Sequence, residues 1–480
     1  MTAMLVRAVE QLPMLVRHGT IAALSTASGR GAIAIVRLSG SDAHVLASRI
    51  LHPWPSIARR VVRSTVRDVR DGSLIDDALV TRFDAPRSYT GESMVEIACH
   101  GGVAVSAAVL ELLTLLGARA AEPGEFTQRA VLNGKLDLLQ AEAVADLVDA
   151  RTHAMRRAAV RQLDGGLSRA LTELRERMLS IEALLAYDID FPEEDDGPIS
   201  HETIRTAARG AHDAIERLLT TVPLGEIARD GAMVVIAGPP NAGKSSLFNA
   251  LLGETRAIVT DIPGTTRDAI EARVESDRWP LRLVDTAGLR SSTDVIERLG
   301  IEVSEEHIRA AHVVLACAES LHELADILPR VKALAPATVL AVLTKADLLP
   351  SGGEHAGQVV DVEVEEHTGL DGIGAAVAVS ATARTGLDRL LHRIHRKLEQ
   401  SYGDVSAELP IVTRARHQVS LDGARREVQQ FLSMWESRAT PATVVAVHIR
   451  TATHLLDELI GSVDVEDILD RVFSSFCVGK

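Results

Sequence analysis

The stretch MVVIAGPPNAGKSSLFNALLG, beginning at Met233, restricts this chain more than any other. An apolar run, a glycine, the spacing GxxxxGKS and a second apolar run at helical period fit one local structure, a strand followed by a tight loop and a helix. Backbone N–H groups of such a loop, backed by the positive end of the helix, make a cradle for phosphate. Lys244 is placed to reach the β and γ phosphates and Ser245 to ligate Mg²⁺, while Asn241, Ala242, Gly243 and Ser246 complete the loop.

Three further segments follow in the order that a nucleotide-hydrolysing domain requires. GTTRD, from Gly264 to Asp268, offers Thr266 as a second hydroxyl for Mg²⁺. Asp285 closes the apolar segment LRLVD and opens DTAG, so that Asp285, Thr286, Ala287 and Gly288 face the metal and the γ phosphate. TKAD, comprising Thr344, Lys345, Ala346 and Asp347, is expected to read guanine, because the Asp347 carboxylate can accept from N1 and the 2-amino group together. Adenine lacks that donor pair and would leave the carboxylate unpaired. Ser380, Ala381 and Thr382, after AAVAV, are expected to support the base from its other side.

Two positions depart from the usual pattern. Thr344 stands where asparagine is usual; its hydroxyl can tie the base loop to the phosphate loop but lacks the second function of an amide. Leu289 follows DTAG where many GTPases carry a glutamine that orients the attacking water. Hydrolysis depends mainly on positioning and on neutralising phosphate charge, so another group must orient the water.

At 480 residues the chain exceeds one ordinary core, and a scale of roughly 150 residues per domain suggests about three. From Gly19 to Leu132, β-rich runs such as AIAIVRL alternate with helical runs such as VAVSAAVLELLTLLG, which reads as an α/β unit. Residues 133–225 read as long amphipathic helices, interrupted at DIDFPEEDDGP, a charged loop rather than a cation site. Residues 226–399 alternate strands and helices in the manner of a doubly wound sheet, and helices return over 400–480. The nucleotide domain thus reads as an insertion in a discontinuous helical domain. Gly29-Arg30-Gly31-Ala32-Ile33-Ala34 mimics a dinucleotide fingerprint, but a strand follows where a helix is needed, so it reads as a tight turn.

The formal charge of −15 repels phosphate backbones at long range, so any nucleic-acid contact must use a local basic patch or a partner's surface. Cys99, Cys317 and Cys477 are widely spaced and form no CxxC, which fits a reducing cytoplasm. No apolar run reaches the roughly 18 residues of a membrane span. Residues 1–18 read as a frayed amphipathic extension or a misassigned start, and CVGK at the terminus is rejected as a prenylation box.

From Gly19 to Lys480 the chain resembles the tRNA uridine-modification GTPase family, MnmE (TrmE). Beyond the nucleotide motifs the resemblance rests on SGRGAIAIVRLSG, SYTGESMVEIACHGG, EPGEFTQRAVLNGKLDLLQAEAVADLVDA and the terminal SSFCVGK. It implies a folate-binding N-terminal domain, a discontinuous helical domain and an inserted Ras-like G domain. It implies K⁺-stimulated hydrolysis, with Asn241, Thr260, Ile262 and Thr265 caging the ion and Asp261, Pro263 and Gly264 lining the same switch loop. Glu297 is the matching acid for the water; without the resemblance it would read as a solvated helix residue. Arg37, Glu96, Lys135 and Lys480 match the positions for a one-carbon tetrahydrofolate, and Cys477 is a further candidate there. The resemblance also implies a homodimer and a flavin partner of the MnmG (GidA) type that carries FAD and most tRNA contacts. The reaction implied is installation of an aminomethyl-type group, such as carboxymethylaminomethyl, at C5 of the wobble uridine. A ribosome-assembly GTPase is the contrasting reading, and it would favour a basic RNA module such as a GXXG loop with flanking lysines, which the chain lacks. A folate-binding regulatory protein is another, opposed by the intact Lys244, Ser245, Thr266 and Asp285.

Overall fold

The computed structural model describes residues 19–150, 152–190, 200–254, 256–258, 270–275, 279–285, 306–335, 338–348, 376–402, 410–461, 476 and 479. The chain divides into two compact units. The first draws on the stretches up to Ala145, Leu163–Ile204 and Met434 onward, and the second on Asp146–Gln162 and Arg205–Ser433.

The first unit is built on strands β1 (Ile21–Leu24), β2 (Ile33–Ser39), β3 (Leu51–His52), β4 (Val61–Arg67), β5 (Leu74–Phe83), β6 (Met94–His100) and β7 (Arg119–Ala120). Their spatial order is β3-β4-β5-β6-β2-β1-β7, antiparallel throughout except for the β1–β7 pair. Residue alternation decides the faces. Ala34, Val36 and Leu38 of β2 and Val95, Ile97 and Cys99 of β6 point into a core shared with Val109, Leu112 and Leu113 of helix Val103–Leu115. Arg37 and Glu96, directly opposite in the β2–β6 register, therefore share the other face.

The EPGEFTQRA segment folds into helix Glu125–Leu132, whose polar residues are buried against this sheet. Arg129 pairs with Glu125 at 3.0 Å and with Glu92 at 3.0 Å, and Ser39 donates to Glu92 at 2.8 Å. Each buried charge has a partner, which keeps the desolvation cost of burying it tolerable.

Two long helices of this unit, Gly166–Asp190 and Ala442–Ile460, pack along each other. Leu167, Leu171, Leu174, Met178, Ile181 and Leu185 recur at three and four residues and are buried, as are Val445, Ile449, Ala452, Leu456 and Leu459 opposite. An Arg175–Asp457 ion pair and a bond from the Thr453 hydroxyl to Glu182 at 2.5 Å fix their register. The first helix runs through Asp188–Asp190, so the acidic run begins within a helix and not, as the charge pattern suggested, in a loop. Its remainder lies outside the described residues, as do residues 1–18.

The second unit holds β8 (Ala232–Ala237), β9 (Arg256–Ile258), β10 (Ile270–Glu275), β11 (Leu281–Asp285), β12 (Val313–Ala318), β13 (Thr338–Leu343) and β14 (Val377–Ala378). The order β14-β13-β12-β8-β11-β10-β9 is parallel from β14 to β11, and its edge of β10 and β9 is antiparallel. Every residue of β8 is buried because helices cover both faces of the sheet. Helices Lys244–Glu254 and Leu387–Tyr402 cover one face, packing Leu247, Leu251, Leu390 and Ile394 on Val234, Ile236, Leu283 and Leu315. Helix Leu321–Leu334 covers the other face through Leu324, Leu328 and Val331. The C-terminal ends of β8, β11, β12 and β13 lie side by side, the edge at which an open α/β sheet binds ligands.

His312, just before β12, closes the opposite end of this sheet. Its Nδ1 accepts the Met233 backbone N–H at 2.9 Å, and its ring meets Tyr402 edge-on at 5.6 Å. Burial, reinforced by the Arg282 charge, holds its pKa below the ordinary 6.5. The folded protein therefore prefers neutral His312. This contribution to stability is present above pH 6.5 and is lost as pH falls through the lower folded value. Thermal unfolding followed between about pH 7.5 and 5 should show this component as a fall in the midpoint that is absent in His312→Asn, which keeps an acceptor but does not titrate.

Candidate functional site

The phosphate loop takes its shape from close approach. A side chain at Gly238 would begin 2.2 Å from the Cys317 carbonyl oxygen, so the chain leaves β8 alongside β12 only with glycine there. Asn241 then adopts a left-handed φ of 63°, a conformation that asparagine tolerates better than most residues. Helix Lys244–Glu254 begins immediately after the turn. Lys244 is 7% exposed and folds back into the loop, its Nζ donating to the carbonyls of Gly238 at 2.9 Å and Pro239 at 2.7 Å. Asp285 is buried at the end of β11. Beneath the loop, burial pushes the Cys317 thiol up to about 12, which leaves it protonated and unreactive.

Two adjoining clefts open here. One of about 500 Å³ is lined by the loop residues Pro240, Asn241, Gly243, Lys244, Ser245 and Ser246. The other, of about 160 Å³, is lined by Gly243, Ser246, Thr344, Asp347, Ala381 and Thr382 among others. Lys345 borders both. The first is polar and sits on a helix N-terminus, the environment a polyphosphate requires. The second is narrower, more enclosed and less polar, and it ends in a carboxylate, which suits a base with two adjacent donors.

Asp347 is aimed by its neighbours. Ser380 Oγ donates to Oδ1 at 2.6 Å, and Thr382 Oγ1 to Oδ2 at 3.3 Å. The Ser380 hydroxyl above all holds the Asp347 carboxyl below its ordinary range, so the group is ionised at physiological pH. Ser380 is itself fixed by the bridge to Thr385. Thr344, 3% exposed, makes the tie between loops: its hydroxyl lies 2.9 Å from the Ala242 carbonyl and 3.0 Å from that of Ala318. A hydroxyl has one proton to share between these two oxygens and none left for a base.

In the first unit, Arg37 donates from Nε and Nη2 to a single oxygen of Glu96, at 3.1 and 2.9 Å. Its guanidinium lies 5.4 Å from the Tyr89 ring centroid and 5.6 Å from that of Phe126. Gly479 arrives at the same place. The Gly479 carbonyl accepts from Arg37 at 3.4 Å and from Ser25 at 3.0 Å. Gly479 has a φ of 97°, and a side chain there would begin 2.3 Å from the Leu24 carbonyl, so only glycine can lie this close to β1 at that position. Lys135 follows the end of the helix that carries Phe126, and its Nζ donates to the Pro86 carbonyl at 3.2 Å.

The structure thus brings Arg37, Glu96 and the residue beside Lys480 together, and gathers Asn241–Ser246 with Thr344–Asp347 and Ser380–Thr382. Thr260, Asp261, Ile262, Pro263, Gly264, Thr265, Thr266, Thr286, Ala287, Gly288, Glu297, Cys477 and Lys480 lie outside the described residues. Sequence reasoning passed over Tyr89, Phe126, Ser25 and Gly479. A usable signal existed for Tyr89, because a chain with three tyrosines places one inside a string already singled out.

A family model described as "GTP-binding protein TrmE N-terminus" matches residues 20–135, and one described as "MnmE helical domain" matches residues 138–477. A tRNA modification GTPase MnmE from Moorella thermoacetica is 39% identical over 468 residues, covering 96% of this chain and 99% of that protein. The chain belongs to the MnmE family. The same named protein from Methylobacterium radiotolerans is 41% identical over 465 residues, and that from Bacillus subtilis 38% over 469, each spanning 96% of this chain. As a family member with a phosphate loop, the protein is a GTP-hydrolysing enzyme. No helix among its described residues is long and apolar enough to cross a membrane.

Proposed function

We propose that this MnmE-family GTPase is the GTP-hydrolysing component of a cytoplasmic complex that adds an aminomethyl-type group, such as carboxymethylaminomethyl, to C5 of the wobble uridine at position 34 of certain tRNAs. The observation that carries the nucleotide half is the pair of adjoining clefts, one lined by the lysine-bearing loop and one ending in the oriented Asp347 carboxylate. Asp347 reads guanine; Asn241 through Ser246 hold the phosphates. Mg²⁺ suits Ser245, at the helix N-terminus, and Asp285, a buried carboxylate at a neighbouring strand end. A hard cation takes oxygen ligands of that kind. Potassium would be held by the Asn241 side chain with Thr260, Ile262 and Thr265, and Glu297 would orient the water that Leu289 cannot.

The first unit supports a one-carbon tetrahydrofolate. Arg37 lies against two aromatic rings and is turned toward Glu96 and the terminus, a surface on which a planar heterocycle could lie against a guanidinium and meet a carboxylate edge-on. Lys135 and Lys480 add charge for the ligand's carboxylates, and Cys477 is a further candidate. The folate supplies the carbon; a MnmG (GidA)-type partner brings FAD and the flavin chemistry. The sheet face bearing Arg37 and Glu96 also exposes Ile33, Val61 and Leu79 at 58, 60 and 49%, which supports burial against a second copy in a homodimer.

Nucleoside mass spectrometry of bulk tRNA from a strain lacking the gene tests the reading. The modified wobble uridine should disappear, return with the native gene and fail to return with Glu297→Ala. In the purified protein, GTP hydrolysis should be faster in KCl than in NaCl. Persistence of the modification in the deletion strain, with no duplicate gene, refutes the tRNA assignment.

A further inference from the structure

The corner between β12 and helix Leu321–Leu334 serves as a seat for the base-reading loop. The Ala318 carbonyl takes two donors from Thr344, the backbone N–H at 2.9 Å and the hydroxyl at 3.0 Å. The next residue, Glu319, extends its carboxylate to the Lys345 ammonium in a direct ion pair. The corner is held from behind. The Glu323 backbone N–H donates to the Ser320 hydroxyl at 3.3 Å, and the Glu323 carboxylate accepts the Glu319 backbone N–H at 3.1 Å. This reciprocal bonding fixes a helix start and with it the direction in which Glu319 leaves the chain.

Lys345 has reason to need such an anchor. Its backbone is left-handed, with φ of 53°, which sets the side chain off at an angle few residues adopt. Its stem runs past Gly243, with Cε 4.0 Å from the point where a side chain on that glycine would begin. Lys345 is also the residue that, with Gly243 and Ser246, borders both clefts. Lysine is flexible and strongly hydrated, so an unanchored Lys345 would spread over many solvent-facing conformers and leave the base cleft without that wall.

We propose that Glu319 is a positioning residue for the guanine nucleotide: by pairing with the Lys345 ammonium it lays the lysine's methylene stem along the base cleft before the nucleotide arrives. The proposal rests on the reading that these clefts hold guanine nucleotide. Glu319 acts through Lys345 on the base and sugar side, so its loss weakens mono-, di- and triphosphate alike. Once the nucleotide is bound the hydrolytic step is unaffected, because the phosphate loop and Asp285 are untouched.

The test displaces a fluorescent GDP from the full-length protein with GDP and with GMP, for the native chain, Glu319→Gln, Glu319→Ala and Glu319→Asp. Glu319→Ala and Glu319→Gln should weaken GDP and GMP by the same factor, roughly three- to tenfold, the scale of ordering one long side chain at binding. Glu319→Asp should recover part of it. The kcat at saturating GTP and the thermal midpoint should stay at native values, which a general structural defect would not allow. Glu323→Ala, which loosens the corner but keeps the carboxylate, should give a smaller change in the same direction. Unchanged affinity in Glu319→Ala with normal native binding overturns the inference alone, as does a loss confined to GDP or a fall in kcat. Failure of the native protein to bind GDP overturns the nucleotide reading with it.

Discussion

An Asp347→Asn variant should lose GDP by on the order of a hundredfold and gain xanthosine diphosphate by a comparable factor. The carboxylate offers only acceptors, and Ser380 and Thr382 occupy one position on each oxygen, leaving outward lone pairs for two adjacent donors. Guanine supplies those donors at N1 and the 2-amino group. An amide at 347 would turn an N–H₂ toward the guanine 2-amino group, donor against donor, whereas xanthine places a carbonyl there and restores the match. Thr344 sharpens the effect. Its hydroxyl is committed to loop carbonyls, so the base loop keeps its place without contributing a base contact, and Asp347 carries the discrimination. Because the Ser380 hydroxyl holds the Asp347 carboxyl below its ordinary value, GDP affinity should also stay level between about pH 7 and 5. Competition of GDP and xanthosine diphosphate against a fluorescent nucleotide measures this directly. Variant affinities within twofold of native for GDP would mean that Asp347 does not meet the base.

Lys244→Ala should lower GTP turnover at saturation by about 10²- to 10³-fold, the range seen when one preorganised charge-stabilising group is removed. The ammonium is the positive group built into the phosphate loop, and phosphoryl transfer depends on such charge more than on covalent chemistry. The structure adds a second consequence. Lys244 donates to the Gly238 and Pro239 carbonyls, so its loss also frees the loop's own oxygens and weakens the preformed cradle. Lys244→Arg should not restore turnover, since a planar fork cannot reproduce a compact donor inside a loop that encloses it at 7% exposure. Stopped-flow phosphate release at saturating GTP, with thermal midpoints as a control for folding, decides the matter; turnover above a tenth of native would show that Lys244 does not act on the phosphates.

What the sequence determined by itself is whatever depends on near neighbours in the chain. The spacing from Gly238 to Ser245 requires a strand, a loop and a helix because no other local geometry satisfies a glycine turn between two apolar runs of different period. Alternation in AIAIVRL and VEIACH placed Arg37 and Glu96 on the faces opposite their core residues. Thr344 could be judged a tether and no more from its side chain alone, since one hydroxyl carries one proton. The acidic run was misjudged at its start, because a helix packed as far as Leu185 continues through Asp188–Asp190 where a charge count favours a loop.

Only the tertiary structure decided which distant segments meet. That Glu319 grips Lys345, and that Ser380 aims Asp347, follows from parallel strands ending side by side, which no local pattern records. That Gly479 reaches Arg37 across a separation of 442 residues depends on where a packed sheet leaves room for backbone without a side chain. Local periodicity reports which face of an element is apolar. The partner of a polar group on the other face is fixed by strand order and close approach, and those arise only when the whole core is assembled.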